Sequence, residues 1–344
     1  MEQIINNSGV ISTEENKNIF TSVDIVNAEN EVKPLYDKYE LNPFIEANTT
    51  EVSLSCLQED CIIPVFAKDN EKTISHQEFV STVLDCVKGV FRAEVINMPE
   101  IRVSHQIKGR VPAAIHKSVK DLLDNEKTQY FERMAFIIRI PSISQEINGN
   151  ELCLTVGGVR AYNNENLYGK KSLEKFKFFI GFQNMVCCNL CISTDGFMSE
   201  VKVANLCELK EKVLDVIDCF NLENNFSLLK SLNESYLTEH QFAQFIGKTR
   251  LYNHLSKSQK DGLPSLELND GQLNTIARDY YQDKRFCVDE GKKISLWNVY
   301  NLLTSANKSS YVDTVLDRNV NALEFSLGLA KAINGSSNYH WFLS

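Results

Sequence analysis

Three neighbouring cysteines are the side chains best suited to metal or redox chemistry: Cys187, Cys188 and Cys191. A Cys-x-x-Cys pair can hold one zinc ion through two thiolates, but a structural zinc site needs a second such pair. The only other close pair, Cys56 and Cys61, has a spacing that suits zinc poorly. Free cysteine also packs as a small apolar side chain. We therefore expect buried thiols in this apolar run, and we predict neither a metal site nor a cofactor.

Other catalytic signatures are incomplete. Gly247-Lys248-Thr249 resembles the end of a phosphate-binding loop, but Phe242 occupies the position of the first glycine that this loop requires. The histidines form no His-Glu-x-x-His motif, and no serine lies in a Gly-x-Ser-x-Gly turn. The sequence identifies no catalytic residue, and it does not favour an enzyme.

Cationic stretches give the clearest functional signal. Residues 101–120 contain five lysines and arginines and no acidic residue, and further cations with nearby tyrosines occur in residues 160–177 and 308–318. On a sheet face, cations can meet phosphates and tyrosine rings can stack on bases, which suits a single-stranded nucleic acid. The predicted nucleic-acid-binding residues are Arg102, Lys108, Arg110, Lys117, Arg160, Tyr162, Lys170 and Lys171. The alternative is an ordinary solvated polar face.

The segment from Arg133 to Val203 must position much of this surface. It is dense in β-branched, aromatic and small apolar residues, which favour strands. Asn148-Gly149 and Asp195-Gly196 have the composition of hairpin turns. We predict an α+β fold with a mostly antiparallel central sheet of about four strands, with helices packed on it.

Helical patterns flank this sheet. Ser75 and Glu78 have the spacing of a capping box at a helix start, and a short helix is predicted at about residues 113–125. Beyond Val203 only helical patterns occur, with caps at Thr238, Asn269 and Ser295. We predict a flexible tail at residues 1–40, an α+β subdomain at 41–205, and an all-helical subdomain at 206–344 packed on it. Trp341 and Phe342 are expected to dock on the body.

Composition narrows the class of protein. The chain has 344 residues, 43% of them hydrophobic, and a formal net charge of −9. This charge argues against a generally basic nucleic-acid-binding protein, although a local basic groove remains compatible with it. No apolar run reaches the length of a membrane span, and no secretory signal is visible at the start. We expect a cytoplasmic protein with reduced cysteines and no membrane partner.

Several strings of the sequence also resemble one family. They resemble the domain of unknown function 3871 family of Bacteroidetes, which is common on integrated or conjugative elements. The strings are GGVRAYNNENLY, FIGFQNMVCCNLCISTDGF, LTEHQFAQFIGK and LNDGQLNTIARDYY. More loosely, VRAYN and MVCCN are similar to phage- and plasmid-related proteins of unknown function. The resemblance implies a mobile-element setting, and it brings no activity, ligand or catalytic residue.

Two functions from different classes follow from these observations. The first is an accessory protein of a mobile element that binds single-stranded nucleic acid on a basic face of the sheet. The second is a protein-interaction or host-interference factor, whose partner is a protein encoded by the host or by the element. An enzyme would require a metal at Cys187, Cys188 or Cys191.

Overall fold

The computed structural model describes residues 42–61, 73–164, 173–286, 293–335 and 337–344, which belong to one compact unit. Several predictions fall outside these ranges. They are the flexible tail at residues 1–40, all but the first residue of a strand expected at residues 61–66, and the binding residues Lys170 and Lys171.

Eleven strands occur in the described residues. They are β1 (Thr50–Val52), β2 (Glu100–Val103), β3 (Gln106–Arg110), β4 (Lys127–Phe131), β5 (Arg133–Ile147), β6 (Asn150–Ala161), β7 (Glu174–Asn184), β8 (Leu190–Cys191), β9 (Phe197–Val203), β10 (Tyr236–Thr238) and β11 (Lys293–Ser295). Seven of them form an antiparallel central sheet in the order β1-β2-β5-β6-β7, with β8 and β9 both paired to β7. Strands β3 and β4 form one separate ladder, and β10 and β11 form another. The prediction of an α+β fold built on an antiparallel sheet is confirmed.

The two predicted hairpin turns have different outcomes. Asn148 and Gly149 join β5 to β6, and their φ angles of 50° and 75° are those of a type I′ turn. The predicted hairpin at Asp195-Gly196 is wrong, because β8 and β9 do not pair with each other and instead follow one another along the edge of β7. The Asp195 carboxylate accepts hydrogen bonds from Ser193 (2.6 Å) and Asn225 (2.8 Å), which hold the chain in a short 3-10 turn.

Nine helices occur in the same residues. They are α1 (Leu54–Glu59), α2 (His76–Val90), α3 (Leu206–Cys219), α4 (Leu222–Ser231), α5 (Glu239–His254), α6 (Lys257–Lys260), α7 (Asp270–Gln282), α8 (Leu296–Asn307) and α9 (Val315–Asn334). The predicted caps Ser75, Thr238, Asn269 and Ser295 each accept a hydrogen bond from a backbone amide in the first turn of α2, α5, α7 and α8. None of the helices described is long and apolar enough to cross a membrane.

The helix predicted at residues 113–125 is wrong. This segment contains only three short 3-10 turns, at Pro112–Ala114, Val119–Asp121 and Asp124–Glu126. A helix of this length is marginal in water unless one face packs against a core. Ile115 and Val119 remain exposed here, so no such packing stabilises a helix.

The central sheet is covered on both faces. One face, called here the α2 face, carries Phe136 and Phe178 and packs against α2, α3 and α4. The opposite face, called the α9 face, buries Ile137 and Phe179 beneath Phe44 and the start of α9. The aromatic end of the chain docks as predicted, since Phe342 is fully buried. A single apolar cluster contains residues from both sides of Asn205, the predicted subdomain boundary, which stays a prediction.

Candidate functional site

Residues 105–132 form a hairpin arm. Strand β3 pairs with β4 from Gln106–Phe131 to Arg110–Lys127, and neither strand joins the central sheet. The two strands are joined by residues 111–126, which we call the arm tip and which contain only short 3-10 turns. The arm is held by its own ladder, by contacts within its tip, and by contacts of β4 with the body, where Gln129 donates to the Asp60 carbonyl and Phe131 joins the main apolar cluster.

Three of the predicted binding residues lie on this arm, together with the further cation Lys120. Lys108 and Lys120 are exposed. The Arg110 guanidinium donates a hydrogen bond to the Lys117 carbonyl, and the Lys117 ammonium forms an ion pair with Glu126. The structure thus places the cations of residues 101–120 on the arm, with the exception of Arg102.

Local carboxylates balance these cations. The arm holds five lysines and arginines and four aspartates and glutamates. Hydrogen bonding to Lys117 lowers the pKa of Glu126, and Lys127, 2.7 Å from Asp124, lowers the pKa of that carboxyl in the same way. A phosphate group would have to compete with these carboxylates for the lysines, so the arm is not a strongly cationic surface.

A groove of about 460 Å³ lies along the arm. Its lining residues are Asp60, Lys108, Gly109, Arg110, Val119, Leu122, Asp124, Lys127, Thr128 and Gln129. Charged and apolar side chains therefore share this surface.

The arm tip also exposes three large apolar side chains. Ile115, Val119 and Leu123 are 63%, 71% and 60% exposed, respectively. Sequence reasoning missed them as functional residues, although their four-residue spacing was the available signal. That spacing resembles the buried face of a helix, whereas here the three side chains face solvent.

Arg160 and Tyr162 lie in the interior, which corrects their predicted surface position. Each is only 1% exposed. The Arg160 guanidinium pairs with Glu174, donates a hydrogen bond to the Ile74 carbonyl, and lies 4.5 Å from the ring centre of Tyr162. The Tyr162 ring packs in turn against the His76 ring at a tilt of 31°, with centroids 4.4 Å apart. We call these residues the buried arginine cluster.

His76 is the titratable member of this cluster. Its Nε2 atom lies 2.9 Å from the Phe131 carbonyl. Complete burial lowers the pKa of His76 to about 3, and the nearby Arg160 charge acts in the same direction. The imidazole is therefore neutral at physiological pH.

The remaining predicted cationic groups are also engaged. Lys175 lies 3.1 Å from Glu200, and Lys177 pairs with Asp317. Lys308 is buried and donates to the Cys187 carbonyl. Each of these three cations is therefore already paired with a carboxylate or a carbonyl.

The cysteine cluster is buried, as predicted. Cys187 and Cys188 lie in the turn between β7 and β8, Cys191 lies in β8, and none is more than 2% exposed. Burial raises the pKa of Cys187 to about 12 and also raises the pKa of Cys191. Within the described part of the chain, no group of three or more His, Cys, Asp and Glu side chains could hold a metal ion.

Arg102 lies apart from the arm. It projects from β2 on the α9 face, where its Nε and Nη2 atoms donate to the Thr49 hydroxyl (3.1 Å) and the Thr49 carbonyl (3.0 Å). It lines a cleft of about 420 Å³ at the β1–β2 edge of the sheet.

A family model described as "Domain of unknown function, B. Theta Gene description (DUF3871)" matches residues 25–343. The chain belongs to the DUF3871 family. This confirms the family that the sequence strings predicted. No curated protein and no solved structure matches this DUF3871 chain.

Proposed function

We propose that this DUF3871 protein is a binding protein whose arm tip inserts into an apolar groove on a protein partner. The observation that supports this proposal is the exposure of Ile115, Val119 and Leu123 within nine residues of one projecting loop. Single exposed apolar side chains are ordinary on protein surfaces, but clustered ones are typical of interaction sites.

The energetics favour such a partner. Full burial of one aliphatic side chain contributes about 1.5–3 kcal/mol, so three together can anchor a protein interface. Lys117, Lys120 and Asp121 flank the apolar residues and would form a polar rim around them.

A photocrosslinking experiment tests the proposal. A photoreactive amino acid is placed at position 119 of the full chain, and irradiation is performed in cells of the natural host. The matched control carries it at position 251, where Leu251 on α5 is also 60% exposed. We expect one stoichiometric protein crosslink from position 119 and none from position 251.

A triple variant makes the test specific. Ile115→Ser, Val119→Ser and Leu123→Ser together should abolish copurification of the crosslinked partner while lowering the free energy of unfolding by no more than about 0.5 kcal/mol per substitution. Equal crosslinking from both positions, or a partner retained by the triple variant, would contradict the proposal. A crosslink to a second copy of the chain would also contradict it.

Binding of single-stranded nucleic acid is the second candidate. It is favoured by the gathering of Lys108, Arg110, Lys117 and Lys120 on the arm. It is disfavoured by the local carboxylates, by the absence of aromatic residues from the arm tip, and by the net charge of −9. For both candidate functions, we propose that the protein is an accessory protein of a mobile element. This proposal rests on the family resemblance of the sequence.

Fluorescence anisotropy separates the two candidates. A labelled single strand is titrated at low and moderate salt with the wild-type chain, with Lys108→Gln/Lys120→Gln and with the triple apolar variant. Salt-sensitive binding that is weakened by the lysine changes alone would support the nucleic-acid candidate. No binding at low salt would exclude it.

A further inference from the structure

The cleft that contains Arg102 has the features of a built ligand site. It lies on the α9 face, where Arg102 pairs across strands with Ala135, and Glu100 pairs with Ile137. Its volume is about 420 Å³. The lining residues are Pro43, Glu51, Met98, Pro99, Glu100, Arg102 and Arg139.

A buried hydrogen-bond chain fixes one guanidinium in this cleft. Arg139 is only 9% exposed. It forms an ion pair with Glu100, and its Nε atom donates to the side chain of Gln183. Gln183 is fully buried and donates onward to the Cys188 carbonyl at 3.3 Å. The floor is therefore rigid before any ligand arrives.

The second guanidinium is available to an anion. Arg102 makes both of its hydrogen bonds to Thr49, a neutral residue. Among the residues that the structure describes, no carboxylate lies within 4 Å of it, and its Nη1 atom makes no hydrogen bond. A guanidinium recognises a carboxylate through two parallel hydrogen bonds.

Charged residues supply most of the lining, and three apolar residues complete this partly open cleft. Met98 is 70% exposed and lines the cleft together with Pro99 and Pro43. An exposed methionine adapts its shape to varied apolar groups. Glu51, also exposed, offers a carboxylate in the same cleft.

We propose that this cleft binds an apolar α-amino acid, free or as the C-terminal residue of a short peptide. Arg102 takes the α-carboxylate, Met98 and Pro99 cover the apolar side chain, and Glu51 takes the ammonium of the free amino acid. Two arginines and two glutamates line the cleft, so their charges cancel. A zwitterionic ligand has no net charge and keeps the cleft neutral. A phosphate dianion would leave unbalanced charge beside the buried Arg139–Glu100 pair.

Calorimetric titration of the full chain tests this proposal with leucine, N-acetylleucine, leucinamide and the dipeptide alanyl-leucine. We expect leucine to bind, and leucinamide, which lacks the carboxylate, to bind at least tenfold more weakly. Tight binding of both N-acetylleucine and alanyl-leucine would indicate that the ligand is the C-terminal residue of a peptide. If neither compound binds, the ligand is the free amino acid.

Arg102→Gln should weaken leucine binding at least tenfold. Arg92→Gln is the matched control, because Arg92 is an exposed arginine outside the cleft. Three results would each overturn the proposal. They are the absence of binding by every compound at 10 mM, leucine binding that Arg102→Gln does not weaken, and binding of inorganic phosphate as tight as that of leucine.

A footprint on the wild-type chain tests the site without any variant. Hydrogen peroxide oxidises exposed methionines, and peptide mapping follows each one. Saturating leucine should slow oxidation of Met98 severalfold relative to the partly buried Met198. Unchanged Met98 oxidation would overturn the proposal, and neither outcome depends on the arm tip.

Discussion

The buried arginine cluster and the hairpin arm use the same chemistry in opposite settings. Each contains a cation paired with a glutamate: Arg160 with Glu174, and Lys117 with Glu126. The Arg160 side chain is fully buried, whereas the Lys117 side chain is 42% exposed. Residue type and pairing therefore do not distinguish a structural cation from one that can meet a partner.

Desolvation explains the difference. A buried guanidinium that loses its carboxylate is left without compensation in a medium of low polarity, which is strongly unfavourable. An exposed lysine that loses its carboxylate is solvated by water instead. The cluster should therefore control the stability of the fold, and the arm should control binding.

The largest expected effect comes from removing the carboxylate of the buried pair. Glu174→Ala should lower the free energy of unfolding by about 3–5 kcal/mol, because the buried Arg160 then loses its ion pair with Glu174 and the Ile74 amide loses an acceptor at 3.0 Å. Urea denaturation measures this loss. Glu126→Ala is the control, and a comparable loss in that variant would contradict the comparison.

The second-largest loss of stability is expected where the backbone is too crowded to accept a side chain. A Cβ atom on Gly158 would lie 2.6 Å from Cζ of Phe79 and 2.7 Å from the Lys177 carbonyl oxygen. Gly158→Ala should therefore destabilise the fold by about 2–3 kcal/mol, since α2 has to shift. Gly109→Ala on the arm meets only the Thr128 hydroxyl, at 3.0 Å. Thermal unfolding should separate the two variants clearly.

The pH dependence of stability sharpens the same contrast. The pKa of His76 is about 3 in the folded chain and near 6.5 when unfolded. The unfolded state therefore binds a proton first as the pH falls, so stability declines from about pH 6.5 towards pH 3. The loss due to this group is about 2 kcal/mol between pH 7 and pH 5.

His76→Gln should remove this contribution. Its urea-denaturation curves at pH 7 and pH 5 should lie closer together than those of the wild-type chain. His116→Gln, on the exposed arm tip, is the matched substitution control. An unchanged pH dependence in His76→Gln would show that the imidazole does not stay neutral.

The smallest effect is expected at the arm tip. Ile115→Ser, Val119→Ser and Leu123→Ser together should change the free energy of unfolding by no more than about 0.5 kcal/mol per substitution, because these side chains lose little contact with the body. A large loss in urea denaturation would mean that the tip packs on the body in solution.

Local signals explain what could be predicted from the sequence. The capping box at Ser75 and the turn at Asn148-Gly149 depend on residues within a few positions, so their composition is sufficient. The strand-rich segment likewise predicts the sheet. The family follows from longer strings within residues 157–281.

Long-range packing explains what could not be predicted. Arg160 is buried because the chain brings it to Ile74, which lies 86 positions away in sequence. The tip residues Ile115 and Val119 show a helical spacing but have no core surface to cover. Asp195-Gly196 has hairpin composition, but pairing of β8 and β9 with β7 overrides it. In none of these cases do the neighbouring residues in the sequence decide the outcome.

The interrupted pairing along β7 has a consequence for association between copies of the chain. A long free edge strand can template pairing with another molecule and start aggregation. Here one edge of the central sheet is split into two pieces of two and seven residues, with a 3-10 turn between them, and the other ends in a three-residue strand. Along β8 and β9, an incoming strand therefore finds no long continuous ladder to pair with.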